Sequence, residues 1–267
     1  TVYVPAGTAA GIYTGGISIA IPGRDKYAIS LELEVPKIQL KTAPMQQGML
    51  FHSLAEPDSG MYIEFASVAL QGELDREIFG QVWQTVIQRH SILRTSFVWE
   101  NVKEPVQVVQ LKVALPLQYL DWRDFPEPIQ ANLLAEYHHK EITRGFDLSK
   151  SPLMRLTLIQ TQDQMYQFIW TYHHILLDGW SIPLLLQEVM GLYTARKQGL
   201  DFQLPAARPF RDYILWLKRQ SLAESEAYWR RRLAGFIAPT PLVVTHLNKE
   251  FLANEPEFSD LEIDLSR

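Results

Sequence analysis

Thr171-Tyr172-His173-His174-Ile175-Leu176-Leu177-Asp178-Gly179-Trp180-Ser181 is the stretch whose reading decides this fold. An aromatic, apolar run from Met165 to Trp170 precedes it and predicts a strand. A helix start follows: Ser181 is a capping type, Pro183 suits a first turn, and apolar residues continue from Leu184 to Leu192. Two adjacent histidines, an aspartate and a glycine therefore fall where a buried strand gives way to a helix. Ligands of α/β folds tend to meet the sheet at such junctions.

Neighbouring side chains on an extended backbone point to opposite faces. His173 and His174 therefore cannot line one pocket together; one is free to face a substrate while the other packs inward. Asp178 is close enough to return beneath the turn and hold it by hydrogen bonds or an ion pair. Gly179 is expected to supply a backbone conformation that other residues resist. A neutral imidazole near its ordinary pKa exchanges protons at neutral pH. A histidine alone reads as a buried ring satisfied by backbone groups. The whole HHxxxDG pattern at a strand–helix junction reads as a site.

These residues resemble the core motif of nonribosomal peptide synthetase condensation domains, members of the HHxxxDG acyltransferase superfamily. Three further stretches resemble that family in the expected order. Thr42-Ala43-Pro44-Met45-Gln46-Gln47-Gly48-Met49-Leu50-Phe51-His52-Ser53-Leu54 is similar to its opening helix, and Arg89-His90-Ser91-Ile92-Leu93-Arg94-Thr95-Ser96-Phe97 to its RHxxLRTxF motif. Pro209 to Trp216, then Ala227 to Leu233, resembles the segment after the first lobe. The fold class implied is α/β (α+β): a chloramphenicol-acetyltransferase-like lobe, a mixed β-sheet flanked by helices. The implied organisation is an N-terminal linker or extension over 1–39, an N-terminal lobe over 40–208, and crossover helices with the beginning of an incomplete second lobe over 209–267. Gly15-Gly16-Ile17-Ser18 looks superficially like a phosphopantetheine attachment site, but its flanks lack the helical pattern a carrier domain requires.

Composition narrows the classes. The chain has 267 residues, 47% of them apolar, enough for a substantial core. A net charge of −5 with no basic patch argues against nucleic acid. The absence of cysteine excludes disulfides, thiolate metal sites and a cysteine nucleophile. No run is long and apolar enough to span a membrane, and the first residues lack a signal-peptide plan; a cytoplasmic protein is expected.

Along the chain, the patterns predict a helix over 44–54, a strand over 62–70, and a helix from the Asp75 cap to Gln88 with Ile78, Phe79, Val82, Trp83, Val86 and Ile87 on one face. A strand is predicted over 92–99, with 106–109 and 117–120 beside it. A helix over 129–143 follows, and then a hairpin of 154–159 with 165–172. Arg94 falls on a strand among apolar neighbours, where an unpaired cation is costly. Asp178 is its expected partner, with Glu73 or Asp75 as the alternative. His138-His139 is read as the solvated face of a helix, since adjacent helical side chains diverge by about a hundred degrees and clamp a metal poorly. The Trp and Tyr residues between Tyr213 and Trp229 are read as packing.

The resemblance implies amide formation between a donor acyl or peptidyl thioester and an acceptor aminoacyl thioester, each tethered to a carrier protein by phosphopantetheine. His174 is the implied catalytic residue, as a base or an orienting group. His173, Asp178, Gly179 and Arg94 are implied to hold the site, and Trp180 and Ser181 to line a substrate tunnel. No metal is expected, and no cofactor is bound directly. The implied partners are donor and acceptor peptidyl carrier proteins, adjacent synthetase domains, and a missing second lobe or self-association. An acyl-CoA-dependent acyltransferase and a non-catalytic docking module are the alternatives.

Overall fold

In the computed structural model, which describes residues 11–19, 27–35, 39–57, 59–238 and 261–264, the chain alternates strands and helices. β1 (Gly11–Ile19) and β2 (Tyr27–Val35) form an antiparallel pair. β3 (Gln39–Lys41), α1 (Pro44–Ala55), β4 (Ile63–Gln71) and α2 (Arg76–Arg89) follow. A 3₁₀ turn, Ser91–Arg94, leads into β5 (Thr95–Val98), β6 (Val106–Val109) and β7 (Leu117–Asp121). Next come α3 (Glu127–Arg144), β8 (Met154–Gln162), β9 (Met165–His173) and α4 (Ser181–Lys197). Beyond them lie α5 (Phe210–Leu217), α6 (Leu222–Arg232) and β10 (Leu261–Asp264).

The main sheet has five strands in the order β10-β4-β9-β8-β7. β9 runs antiparallel to both its neighbours, whereas β10 pairs parallel with β4, and β7 with β8. A separate antiparallel sheet has the order β3-β6-β5. The expected mixed sheet flanked by helices is therefore present.

β9 is central because both of its faces are covered. Phe168, Trp170 and Tyr172 enter the core on one face, against α2 and α4. There Trp83 meets Trp170 with ring centroids 5.1 Å apart, and Phe79 meets Phe168 edge-on at 5.3 Å. α2 presents this face because Phe79, Val82, Trp83, Val86 and Ile87 recur at helical spacing and Asp75 caps it, accepting from the Ile78 N–H at 2.9 Å. α3 covers the other face. Its buried Glu141 pairs with Arg155 of β8, and Tyr137 bonds Thr157 at 2.7 Å.

Several expectations need correction. β7 pairs with β8 in the main sheet, not beside β5. The predicted strand from Ile92 begins only at Thr95, because Thr95 N–H bonds back to the Ile92 carbonyl and tightens the preceding residues into a 3₁₀ turn. Residues 1–39, read as a linker or extension, include the β1–β2 pair, which an extension accommodates, and Gly15-Gly16-Ile17-Ser18 lies within β1. β10 falls in the segment read as opening a second lobe and pairs parallel with β4. His138 is not simply solvated: its ring stands edge-on to Phe65 at 4.5 Å. Tyr213, Trp216, Tyr228 and Trp229, read as packing, are exposed, with Tyr213 stacked on Trp216 and Tyr228 edge-on to Trp229.

Trp83 is fully buried and joins α2 to β9. Trp83→Ala is expected to lower unfolding free energy by about 3–5 kcal/mol, read as a shifted urea midpoint at unchanged slope.

Candidate functional site

The site forms where β9 ends. His173 is the last strand residue and is only 2% exposed. Its Nδ1 accepts from the Ile175 N–H at 3.1 Å, so that nitrogen carries no proton. Its Nε2 lies 3.2 Å from the Ser53 hydroxyl of α1, and with the proton on Nε2 the ring donates there. Both ring nitrogens are satisfied by the neutral form. Burial, and then the neighbouring His174, push the His173 pKa down to about 4. A cavity of about 180 Å³ opens beside it, lined by Ser53, Met61, Ile63, Trp99, Phe146 and His173 among others.

His174 takes the other direction. Its N–H donates to the Tyr62 carbonyl at 2.8 Å, which continues the β4–β9 pairing one residue past the strand. Its ring is half-buried, with Nδ1 3.9 Å from Glu64 Oε1. That Nδ1 is inaccessible and has no hydrogen-bond partner within normal reach among the described residues. Glu64 is opposite Tyr172 in the register, so the carboxylate, the phenol and the His174 ring share one side of the strand pair. Burial, followed by the Glu64 and Asp178 carboxylates, pushes the Tyr172 phenol up to about 12, which keeps it protonated at neutral pH.

α1 buttresses the turn. Gln46 donates to the Ile175 carbonyl at 3.2 Å, while its own carbonyl oxygen accepts from Ala43 N–H at 2.9 Å and Gln107 Nε2 at 3.3 Å. Tyr62 holds a left-handed φ of 65°, uncommon for a bulky residue. Its carbonyl is bonded to His174, and its hydroxyl lies 2.9 Å from His52 Nδ1.

Asp178 and Arg94 do not meet. Asp178 Oδ1 accepts from the Ser181 N–H at 2.9 Å and the Ser181 hydroxyl at 2.6 Å, securing the first turn of α4. These bonds, the Ser181 hydroxyl foremost, hold the Asp178 pKa below its ordinary value, and nearby His174 adds to the effect. Arg94 instead donates to the backbone carbonyls of Ile87, Gln110 and Leu111. Burial lowers its pKa. The expected Arg94–Asp178 pair is corrected on both sides: the carboxylate is used in capping, and the guanidinium is solvated by carbonyls. Among the described residues, neither Glu73 nor Asp75 forms an ion pair with Arg94. Gly179 also departs from expectation, since its φ lies outside the left-handed range and an added Cβ would meet nothing within 4 Å. Trp180 is 86% exposed. Among the described residues no cluster of His, Asp or Glu could hold a metal. No helix there is long and apolar enough to cross a membrane.

The turn thus holds one imidazole in the interior and offers the next to an open face. The model of the Condensation domain family matches residues 39–257. The chain belongs to the Condensation domain family. Its match extends past the last resembling motif, through the segment after α6. A linear gramicidin synthase polypeptide of Brevibacillus parabrevis is 46% identical over 199 residues, covering 74% of this chain and 3% of that protein. Bacitracin synthase 3 of Bacillus licheniformis is 36% identical over 212 residues, covering 79% and 3%. This condensation chain therefore spans only a few hundredths of the length of those synthetases. A mutant form of the starter condensation domain of rhizomide synthetase superposes with a TM-score of 0.69 at 21% identity, covering 79% of this chain and 51% of that one. The first condensation domain of the calcium-dependent antibiotic synthetase gives 0.67 at 15%, covering 77% and 49%. Both show the shared fold.

The structure brings His173, His174, Asp178, Gly179, Trp180 and Ser181 into one turn and leaves Arg94 outside it. Sequence reasoning missed Glu64, Ser53, Gln46 and Tyr62. Only Glu64 left a signal, a lone carboxylate between Ile63 and Phe65 in an apolar strand.

Since the folded His173 pKa lies below its ordinary 6.5, the unfolded chain binds the proton more readily. The neutral-ring contribution is whole above pH 6.5 and is lost as pH falls through about 4. Chemical denaturation across that window should show wild type losing on the order of 3 kcal/mol that His173→Asn does not lose. Arg94→Ala is expected to cost about 1–3 kcal/mol by orphaning carbonyls. A double-mutant cycle with Asp178→Asn should return a coupling under about 0.5 kcal/mol.

Proposed function

We propose that this chain carries the catalytic histidine for amide formation between a donor acyl or peptidyl thioester and the amine of an acceptor aminoacyl thioester in nonribosomal peptide synthesis. The observation that carries this reading is the His174 ring, held at the strand–helix junction and half-open, in a chain of the Condensation domain family. Both substrates are taken to ride on phosphopantetheine arms of partner carrier proteins, one donor and one acceptor, with no cofactor bound by the chain itself. His174 takes a proton from the attacking amine, or orients it, as the tetrahedral intermediate forms. Tethering both reactants supplies much of the remaining advantage as effective concentration.

His173, Asp178 and the α1 residues hold the turn in this reading. Arg94 supports the segment between α2 and β6 instead of the turn, and no conformational requirement singles out Gly179. Trp180 and Ser181 remain the candidates for lining the substrate path. A second lobe supplies the opposite wall. Two observations support that: the solved condensation domains are about twice the aligned length, and Trp180 and Leu184 of the α4 entry are exposed. Adjacent synthetase domains are the expected neighbours, as the relatives are synthetases.

Peptide-bond formation with two loaded carriers, run with and without a supplied second lobe, is the test. With the lobe present the chain should form the amide, and His174→Ala should reduce turnover by about 10²–10⁴-fold. Turnover unchanged by His174→Ala would overturn the reading. Turnover with acyl-CoA but not with the carrier-bound donor would replace it by the acyl-CoA-dependent reaction.

A further inference from the structure

We propose that Glu64 is a positioning residue for His174: its carboxylate holds the proton on Nδ1, leaving the Nε2 lone pair free toward the reacting amine. This rests on the catalytic role proposed for His174. Glu64 belongs to β4, outside the HHxxxDG turn, and enters the site only through strand pairing.

The β4–β9 register sets Glu64 beside Tyr172, and the His174 N–H is tied to the Tyr62 carbonyl two residues before Glu64. The backbones are therefore locked together on both sides of the carboxylate. From there Oε1 lies 3.9 Å from His174 Nδ1. Nδ1 is cut off from solvent and lacks a partner, a costly condition for a ring nitrogen. The Glu64 side chain is half-exposed, which leaves it room to move toward Nδ1.

The other nearby carboxylate is committed elsewhere. Asp178 turns Oδ1 to Ser181, and among the described residues the carboxylate within 4.0 Å of the His174 ring is that of Glu64. Tyr172 stands beside Glu64, but its phenol is a proton donor at neutral pH and adds no competing negative charge. His173 uses both ring nitrogens on Ile175 and Ser53. Glu64 is thus the uncommitted acceptor aimed at Nδ1. An ionised carboxylate there favours a proton on the facing nitrogen, and the tautomer of an imidazole is set by the bond its other nitrogen makes. A general base working through Nε2 needs that nitrogen unprotonated before attack.

The experiment compares wild type, Glu64→Ala, Glu64→Gln and Glu64→Asp in the full chain, with two readouts. The first is the nitrogen NMR signature of ¹⁵N-labelled histidine, assigned with His174→Ala. The second is amide formation with two loaded carriers in the presence of the second lobe. Wild type is expected to show the Nδ1–H tautomer at His174. Glu64→Ala should shift the ring toward Nε2–H and lower kcat on the order of 10–100-fold, part of what general base catalysis supplies, with KM for both carriers unchanged. Glu64→Asp and Glu64→Gln should fall between. Thermal unfolding should match wild type, because the side chain is half-exposed and makes no other bond among the described residues. An Nε2–H tautomer in wild type overturns the proposal. So does a Glu64→Ala variant with unchanged tautomer and kcat, or one in which only KM for the acceptor carrier rises, which would put Glu64 on the substrate. If wild type itself forms no amide, the function proposed for the chain fails, and the tautomer still decides whether Glu64 positions the ring.

Discussion

Consecutive side chains at the end of a β-strand cannot share a face, and this rule governs the whole site. His173 is still in register on β9, so it must point to the α3 side of the sheet, where it is buried. Burial without a charge partner leaves one inexpensive state: a neutral ring with both nitrogens bonded. Ile175 N–H and the Ser53 hydroxyl provide for it. Once His173 is fixed, His174 has no freedom to choose its side. It emerges on the Tyr172 side, next to Glu64. The inward ring thus aims the outward one, and it does so through backbone geometry without touching it by a hydrogen bond.

The way the turn is held follows from the cost of burying charge. Arg94 is partly buried, so its guanidinium must recover the hydrogen bonds it gives up to water, whereas Asp178 stays exposed. The structure uses separate local solutions. Arg94 stays close to its own segment and is solvated by three carbonyls, which joins the end of α2 to the loop after β6. Asp178 secures the first turn of α4 through Ser181, where a negative charge is favoured by the exposed N–H groups of the helix start. Both residues still serve the turn's surroundings, each by hydrogen bonds within its own neighbourhood.

How much was legible depended on the range of the interaction. α2 could be read because Asp75 and its apolar stripe act within a few residues. The β8–β9 hairpin could be read because a polar turn joins two apolar runs. The opposition of His173 and His174 follows from chain geometry alone. What failed was pairing between distant segments. β7 chose β8 over β5, because strand partners are settled by contacts between residues far apart in the chain, which leave no local pattern. Arg94 was misassigned for a related reason: carbonyl acceptors are present at every residue, so no side chain in the sequence advertises them. Gly179 was overread, because the turn is closed by Asp178 and Ser181 without asking an unusual φ of the glycine. Glu64 stood out only as a lone carboxylate in an apolar strand, and the β4–β9 register is what places it beside His174.

The exposure of His174 has a consequence for catalysis. A half-open imidazole next to a carboxylate sits in a high dielectric, where each electrostatic contribution to a transition state is small. Closing the site would raise the value of the Glu64–His174 geometry without moving either residue, since removing water strengthens the interactions already in place. The exposed apolar side chains that follow the turn, Trp180 and Leu184 at the start of α4, would then gain by being covered, which supplies a driving force for closure of about 25 cal/mol per Å² buried. Under the proposed function, assembly with the opposite wall and activation of the histidine are therefore one event. On that reading the ring and carboxylate are set beforehand, and the covering surface would supply the low dielectric in which their arrangement counts.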